Sequence, residues 1–345
     1  MSTELLINKL ASGQMLTDME MLQLLTDNSC DKLLFSEARK QADAVFGKDI
    51  YLRGLIEFSN YCKNDCYYCG IRCSNRLAAR YRLTLEDILQ CCRQGYELGL
   101  RTFVLQGGED MAYNDDNFTK VISSIKKLYP DCAVTLSAGE RPKKIYQKWF
   151  DAGADRYLLR HETADSSHYS KLHPPALQLA PRLECLAALK ETGYQVGTGF
   201  MVGSPFQTLE NIVQDLKFIT EFKPHMVGIG PFIPHKDTSF ASYPAGSAQL
   251  TLKLIAILRL LNPKLLLPAT TALNTLSDNG HQLGILAGGN VIMPNLSPQA
   301  VRSKYALYNN KRSAGSEAAE GINLIKAELA KIGYQVPVSR GDYQK

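Results

Sequence analysis

Residues 51–69 read YLRGLIEFSNYCKNDCYYC, an apolar, β-rich run that leads directly into Cys62, Cys66 and Cys69. Loops that follow the C-terminal end of a strand are where parallel α/β folds build their active sites. Three thiols so placed therefore point to metal or redox chemistry rather than to stapling. Soft thiolates select zinc or iron-sulfur, and a cubane cluster normally takes four ligands, so three close cysteines leave one iron open to an external ligand. The competing reading is a zinc site completed by Cys73 or a histidine, although zinc sites usually pair their cysteines in two separated knuckles. Cys73 reads as a spare thiol, and Cys30, Cys91, Cys92, Cys132 and Cys185 as buried or incidental ones.

Outward from that stretch, eight apolar runs begin near Tyr51, Arg101, Cys132, Asp155, Gln195, His225, Leu265 and Asn290, with helical segments between them. Such alternation is the pattern of a parallel sheet with helical crossovers, and eight units predict an α/β fold closed as a (β/α)8 TIM-type barrel. Thr84 with Asp87 forms a capping-box pattern and Gly99 a stop; Pro181–Thr192 before Gly193, and Thr208–Phe222 with Ile212, Leu216 and Ile219 on one face, repeat the scheme. Residues 1–50 read as helices, with Thr17 and Glu20 as another capping box, and are expected to cover one barrel end. The barrel is expected over 51–308 and a C-terminal extension over 309–345. Within that extension, 309–320 is polar and Gly/Ser/Ala-rich, and Ile322, Ile325, Leu329 and Ile332 mark a short amphipathic helix.

The chain has 345 residues, 45% of them hydrophobic, and a net charge of only +5, with Lys and Arg scattered, so no nucleic-acid footprint is visible. The most apolar window, Leu252–Leu273, is broken by Lys253, Arg259, Asn262, Pro263 and Lys264, which excludes a plain membrane span. Glu4, Asn8 and Lys9 near the start argue against a secretory signal and for a cytoplasmic protein.

The C-x3-C-x2-C spacing, with Tyr68 just before the third cysteine, resembles the motif of the radical SAM superfamily. LQGGED (105–110), TLSAGE (135–140), RYLLRHETA (156–164), MVGIGPFIPH (226–235), PATTA (268–272) and VIMPN (291–295) follow in order at strand ends. Together they resemble the HydE family of FeFe-hydrogenase maturases from about residue 50 to 310. The resemblance implies a catalytic 4Fe-4S cluster on Cys62, Cys66 and Cys69, and S-adenosylmethionine (SAM) as second cofactor. Gly107, Gly108 and Glu109 would receive the SAM amino group through backbone carbonyls, Glu162 the ribose hydroxyls and Arg182 the carboxylate. Tyr68, Ser137 and Met201 would line the same pocket. Thr135, Arg156, Thr270, Thr271, Met293, Tyr305 and Tyr308 would form a polar floor for the substrate.

SAM presents an ammonium, a carboxylate and a diol, which want acceptors, a guanidinium and a carboxylate respectively, and the chain offers all three. Each isolated residue also has a plainer role: Arg156 or Glu162 as a structural ion pair, Thr270 or Thr271 as β-formers, His161 as hydrogen-bonded scaffolding. Two departures from the family pattern stand out. No cysteine follows Cys185, so a second C-terminal cluster cannot form in the usual way, and Gly107 stands where relatives can carry serine. The resemblance further implies a small sulfur-bearing or organometallic iron-cysteine substrate, transient contact with other hydrogenase maturases, and a reductant such as ferredoxin or flavodoxin. Alternatives are a related barrel acting on an amino acid, such as a methylornithine synthase or a biotin synthase-like enzyme, and a non-catalytic iron-sulfur or zinc scaffold.

Overall fold

The computed structural model describes residues 1–113, 115–311 and 318–344. Its strands are β1 (Tyr51–Leu52), β2 (Gly54–Ser59), β3 (Thr102–Gly107), β4 (Ala133–Ser137), β5 (Arg156–Leu158), β6 (Gln195–Thr198), β7 (Met201–Val202), β8 (Met226–Val227), β9 (Gly230–Pro231) and β10 (Val291–Ile292). Strands β2, β3, β4, β5, β6 and β8 pair in that order, all parallel, and β7, which continues the fifth stave, pairs with β9, which continues the sixth. Bridges Met226–Leu266 and Pro268–Val291, the pairing of β10 with β1, and a bridge Leu55–Asn295 close the ring. The fold is a TIM-type barrel, and every expected strand start is met within a residue or two.

The seventh stave, residues 265–268, forms bridges but no ladder. It is cut short by Pro263 and Pro268, and a proline has no N–H to give to a ladder. Along the other strands the alternation is inverted relative to a half-exposed sheet. Ile56, Phe58, Phe103, Leu105, Val134, Leu136, Tyr157 and Val196 pack outward into the helical ring. Glu57, Gln106 and Ser137, which share a row of the register, face the lumen between them. A lumen lined by short or polar side chains leaves room for ligands. The apolar ring, with Trp149, Tyr146 and Tyr194 fully or almost fully buried, holds the barrel together at about 1.5–3 kcal/mol per large side chain.

Local signals fix the crossovers. Thr84 caps helix Leu85–Glu97 through a capping box with Asp87, Thr208 caps Leu209–Phe222 with Asn211, and Thr17 caps Asp18–Thr26 with Glu20. Helix Leu179–Thr192 stops at left-handed Gly193. The N-terminal segment departs from expectation. Helices Thr3–Ala11 and Asp18–Thr26 lie against the outer helices Ala248–Leu261 and Leu209–Phe222, because Leu6, Ile7, Leu10, Leu24 and Leu25 present an apolar face to that ring. Only helix Asp31–Phe46 reaches the barrel end, where Ala42 and Phe46 meet Met226, Leu266 and Val291.

The C-terminal extension completes that end. Helix Ala318–Lys331 buries Ile322 and Leu329, while the polar stretch 309–320 lies in part, at 312–317, outside the described residues. The tail then runs beneath the strands. Asp342 pairs with fully buried Arg156 at 2.6 Å and with Arg340 at 2.8 Å, and Arg53 donates to Gly341 O at 3.2 Å. Burial pushes the Asp342 carboxyl up, but Arg156 and Arg340 outweigh it and hold it below its ordinary value.

Breaking a buried pair costs about 3–5 kcal/mol, and the partial exposure of Asp342 reduces the expectation for Asp342→Asn to about 1–3 kcal/mol. A group with a depressed folded pKa stabilises above its unfolded value, near 4, and loses that contribution as pH falls through the folded value. The variant should therefore melt several degrees lower at pH 7, with a smaller penalty in acid, as measured by thermal denaturation at both pH values. An equal penalty at every pH would show that charge is not what Asp342 contributes.

Candidate active site

Strand β2 ends in a loop that is held from several sides. The Arg80 guanidinium donates to the carbonyls of Ile71 (2.8 Å), Arg72 (2.6 Å) and Asn75 (3.1 Å), and also to that of Asn60. Arg72 forks onto Asp65 at 2.7 and 2.6 Å. Ser59 and Arg82 both donate to Asp110 at 2.6 Å. These contacts shape the backbone between Tyr61 and Asn75, so the cysteines need no regular secondary structure to be positioned.

Cys62, Cys66 and Cys69 face one cavity of about 300 Å³ at the C-terminal mouth of the barrel. Burial pushes the Cys62 thiol up, that of Cys66 well up and that of Cys69 to about 12. Such thiols stay protonated unless a bound metal stabilises the thiolate, so the donor set fits a metal group that brings its own positive charge. A single tetrahedral ion would need all its ligands within about 2.3 Å of one point. Among the described residues, no set of three or more His, Cys, Asp or Glu is gathered in that way. Three thiols on the wall of one cavity can each bind a different iron of a polynuclear cluster. Cys73 is exposed and off the cavity wall.

Gly107, Gly108 and Glu109 follow β3 on the same wall. A Cβ on Gly108 would lie 2.2 Å from Tyr61 O and 2.8 Å from the Cys62 Cβ, so only glycine lets this segment press against the cysteine loop. At Gly107 it would lie 2.5 Å from the Phe58 ring, which accounts for glycine at this departure from the family pattern. Glu109 accepts the Glu140 N–H at 3.0 Å and pairs with Lys63 at 3.1 Å.

Arg182, on helix Leu179–Thr192, is buried beside Cys66. It donates to Tyr169 Oη and Arg160 O, both at 3.1 Å, and pairs with Glu140 at 2.9 Å. Burial works against its charge, yet Tyr169, Glu140, Tyr68 and Glu162 more than compensate and raise it above the ordinary arginine value. Tyr68 Oη lies 3.3 Å from His173 Nε2, and burial pushes His173 down to about 4, so this histidine is neutral.

Glu162 has a left-handed backbone, φ +67°, which a non-glycine residue adopts only under constraint. The constraint is Asp215. Its Oδ1 accepts the Ala164 N–H at 2.5 Å and lies 3.2 Å from His161 Nε2, gripping the chain on both sides of Glu162. His161 is fully buried between Thr198 and Asp215, a scaffolding role. The Glu162 N–H donates to Gly199 O at 3.0 Å, and its carboxylate lies 3.2 Å from Arg160.

The expected substrate residues divide into groups. Thr270, Tyr305 and Tyr308 line the cavity with Ser137 and Met201. Thr271 and Met293 line a second cavity of about 340 Å³ with Glu57 and Lys311. Arg156 and Thr135 line neither. The reading of Arg156 as part of a polar floor is corrected: it starts β5, and its guanidinium is taken by Asp342, Arg340 O (2.8 Å) and Thr102 Oγ1 (3.1 Å). Thr135 Oγ1 is buried with no hydrogen-bond partner among the described residues.

Sequence reasoning missed Asp215, Arg160 and Arg80. Asp215 left a signal, an acid on the apolar face that carries Ile212, Leu216 and Ile219.

The family model described as "Radical SAM superfamily" matches residues 56–219, from β2 through helix Leu209–Phe222. The "[FeFe] hydrogenase maturase subunit HydE" of Thermotoga maritima is 45% identical over 287 residues, 83% of this chain and 82% of that protein. The chain belongs to the radical SAM superfamily. It is accordingly a SAM-dependent radical enzyme whose cofactors are a 4Fe-4S cluster with three cysteine ligands and SAM. The 3-methylornithine synthase of Methanosarcina barkeri is 31% identical over 341 residues, 98% of this chain and 95% of that protein. A crystal structure of methylornithine synthase (PylB) superposes with a TM-score of 0.85 at 29% identity, covering 96% of this chain and 97% of that one. No helix among the described residues is long and apolar enough to cross a membrane.

Proposed function

We propose that this radical SAM enzyme acts in assembling the diiron part of an FeFe-hydrogenase cofactor. Its substrate is a small sulfur-bearing or iron-bound cysteine species, handed over in transient contact with other maturases. The observation that carries the chemistry is one cavity lined by Cys62, Cys66 and Cys69 together with the Gly107–Glu109 segment, Glu162 and Arg182. The 45% identity to HydE over most of both chains directs it to hydrogenase maturation.

Cys62, Cys66 and Cys69 hold the cluster, which when bound and reduced supplies the electron that splits SAM to methionine and a 5'-deoxyadenosyl radical. The backbone at Gly107–Glu109 would accept from the SAM ammonium, Arg182 would offer its positive charge to the carboxylate, and Glu162 would accept from the ribose diol. Tyr68, Ser137 and Met201 close the pocket around it. Thr270, Tyr305 and Tyr308 meet the substrate, while Thr271 and Met293 belong to a second cavity. The barrel wall and the cysteine loop would hold the substrate beside SAM, so that it offers the nearest bond to attack.

The deciding experiment adds the reconstituted protein to a maturation mixture containing apo-hydrogenase and the other maturases but lacking HydE. Hydrogen evolution is expected. The methylornithine synthase relatives, matched over nearly the whole chain, support a second reading in which the substrate is an amino acid. Formation of 3-methylornithine with no hydrogenase activation would replace the first reading by the second.

The grip of Asp215 on Glu162 gives a further prediction. Strained backbone costs about 1–3 kcal/mol and persists only while its surroundings enforce it. Asp215→Asn should raise the KM for SAM about tenfold and leave kcat nearly unchanged, in a steady-state assay of 5'-deoxyadenosine. A fall in kcat at constant KM would show that Asp215 does not act through Glu162.

A further inference from the structure

Tyr68 stands directly before Cys69 and lines the cavity, yet nothing on its own loop holds its hydroxyl. The one hydrogen-bond partner of Tyr68 Oη among the described residues is His173 Nε2, at 3.3 Å and 105 positions along the chain. The stretch TADSSHYSKLH, 163–173, follows β5, forms helix Ser166–Leu172 and ends on His173, the residue that closes the helix. Both ends of this short helix are pinned. His168 Nε2 lies 3.0 Å from Pro205 O, and Leu172 O accepts the Tyr67 N–H at 3.0 Å. His173 itself is 1% exposed, so its ring is fixed by the protein and not by solvent.

The neighbours of that ring decide where its proton sits. His173 Nδ1 lies 2.9 Å from Tyr169 O, a carbonyl that only accepts, so Nδ1 carries the hydrogen. No carboxylate hydrogen-bonds to the ring among the described residues, and burial keeps it neutral. A neutral imidazole protonated on Nδ1 has only a lone pair on Nε2. The Tyr68 hydroxyl therefore donates to it. That commits the single proton of the hydroxyl to His173 and leaves the oxygen only lone pairs to offer a ligand.

The same imidazole braces a second group. It stacks on the Tyr169 ring, with centroids 3.9 Å apart and planes 21° from parallel, and meets the Tyr68 ring edge-on at 5.5 Å. Tyr169 Oη in turn accepts from Arg182 Nε at 3.1 Å. One ring thus joins the tyrosine beside the third cysteine, in the loop after β2, to the guanidinium on helix Leu179–Thr192. His173 lines no part of the cavity, so whatever it contributes passes through these two residues.

We infer that His173 is a positioning residue for SAM: it fixes the Tyr68 ring by accepting the hydroxyl's hydrogen bond and seats Tyr169 against Arg182. The inference rests on the reading that Tyr68 and Arg182 meet SAM. Groups already held in place cost a ligand no ordering when it binds. Outer partners of this kind are worth about ten- to a hundredfold at metal sites, and a single neutral hydrogen bond places His173 at the low end.

Two substitutions separate the two contacts. His173→Asn keeps an N–H placed like Nδ1 for Tyr169 O and offers Tyr68 nothing, whereas His173→Gln reaches as far as Nε2 and keeps an acceptor for Tyr68. The reconstituted variants are compared by equilibrium SAM binding, by KM and kcat for 5'-deoxyadenosine with dithionite, and by iron content. His173→Asn should weaken SAM binding about tenfold and raise KM to match, with kcat changed by less than about twofold and iron at the parent level. His173→Gln should stay within about threefold of the parent, because its acceptor still meets the hydroxyl. Tyr68→Phe should lose most of the same affinity, and combining it with His173→Asn should be no worse than His173→Asn alone, since residues acting through one contact are not additive. A His173→Asn variant that binds SAM like the parent, equal losses in the Asn and Gln variants, an additive double variant, or iron lost in step with SAM would overturn the positioning role and leave the SAM site standing. A parent enzyme that binds no SAM would instead overturn the reading of the cavity, and the role of His173 with it.

Discussion

Cys66→Ser should abolish SAM cleavage: 5'-deoxyadenosine falls to background with dithionite, and the iron content and iron-sulfur absorbance of the reconstituted protein collapse. The size of the effect follows from where the chemistry resides. The cofactor carries the difficult step and the protein supplies binding and orientation, so losing a cluster ligand removes the reaction rather than slowing it. Enzymatic accelerations begin at about a millionfold, and a loss of that order reads as complete in any assay. The fold should survive, because the contacts that shape the loop come from Arg80, Arg72 with Asp65, and Asn75. Circular dichroism of the variant should therefore match the parent. Retained iron and activity would mean that Cys66 is not a ligand.

Arg182→Gln should have the second largest effect, and its target is SAM affinity. The guanidinium sits among Glu140, Glu162, Tyr169 and Tyr68, and burial costs it less than these neighbours return. Truncating one partner of a buried, hydrogen-bonded charge pair costs about 2–5 kcal/mol. That range weakens the SAM dissociation constant by about 30- to 4,000-fold. Arg182→Lys keeps the charge but not the planar fork and should fall between parent and glutamine variant. Equilibrium SAM binding to the reconstituted variants measures this, with iron content showing that the cluster still assembles. An unchanged dissociation constant would make Arg182 a structural partner of Glu140 and nothing more.

Most of the barrel was legible because it is written in local patterns. The starts of the staves coincide with apolar runs, and Thr17, Thr84 and Thr208 cap helices through side-chain oxygens that the sequence spaces correctly. The seventh stave was legible as a run but not as a set of isolated bridges; that depends on how Pro263 and Pro268 meet neighbours distant in sequence. The path of the N-terminal helices was not legible, since an apolar face states that it will be buried without stating against what.

The site divides in the same way. The cysteines and the Gly107–Glu109 segment lie within one βα loop each, so sequence order places them. Arg156 could not be placed from its own strand, because its partner Asp342 is contributed from the C-terminal tail and turns a polar residue of the lumen into part of a plug. Asp215 shows the converse: an acid on a buried helix face is visible in the sequence, but its grip on His161 and Ala164 exists only once β5 and that helix are adjacent.

Three thiolates leave one iron of a cluster open, and SAM takes the vacancy. Electron paramagnetic resonance of the anaerobically reconstituted, dithionite-reduced protein, recorded with and without SAM, addresses it most directly. The expected spectrum is that of a reduced 4Fe-4S cluster whose g values shift when SAM is added. A signal that SAM leaves untouched, or a protein that retains zinc and takes up no iron, would contradict it.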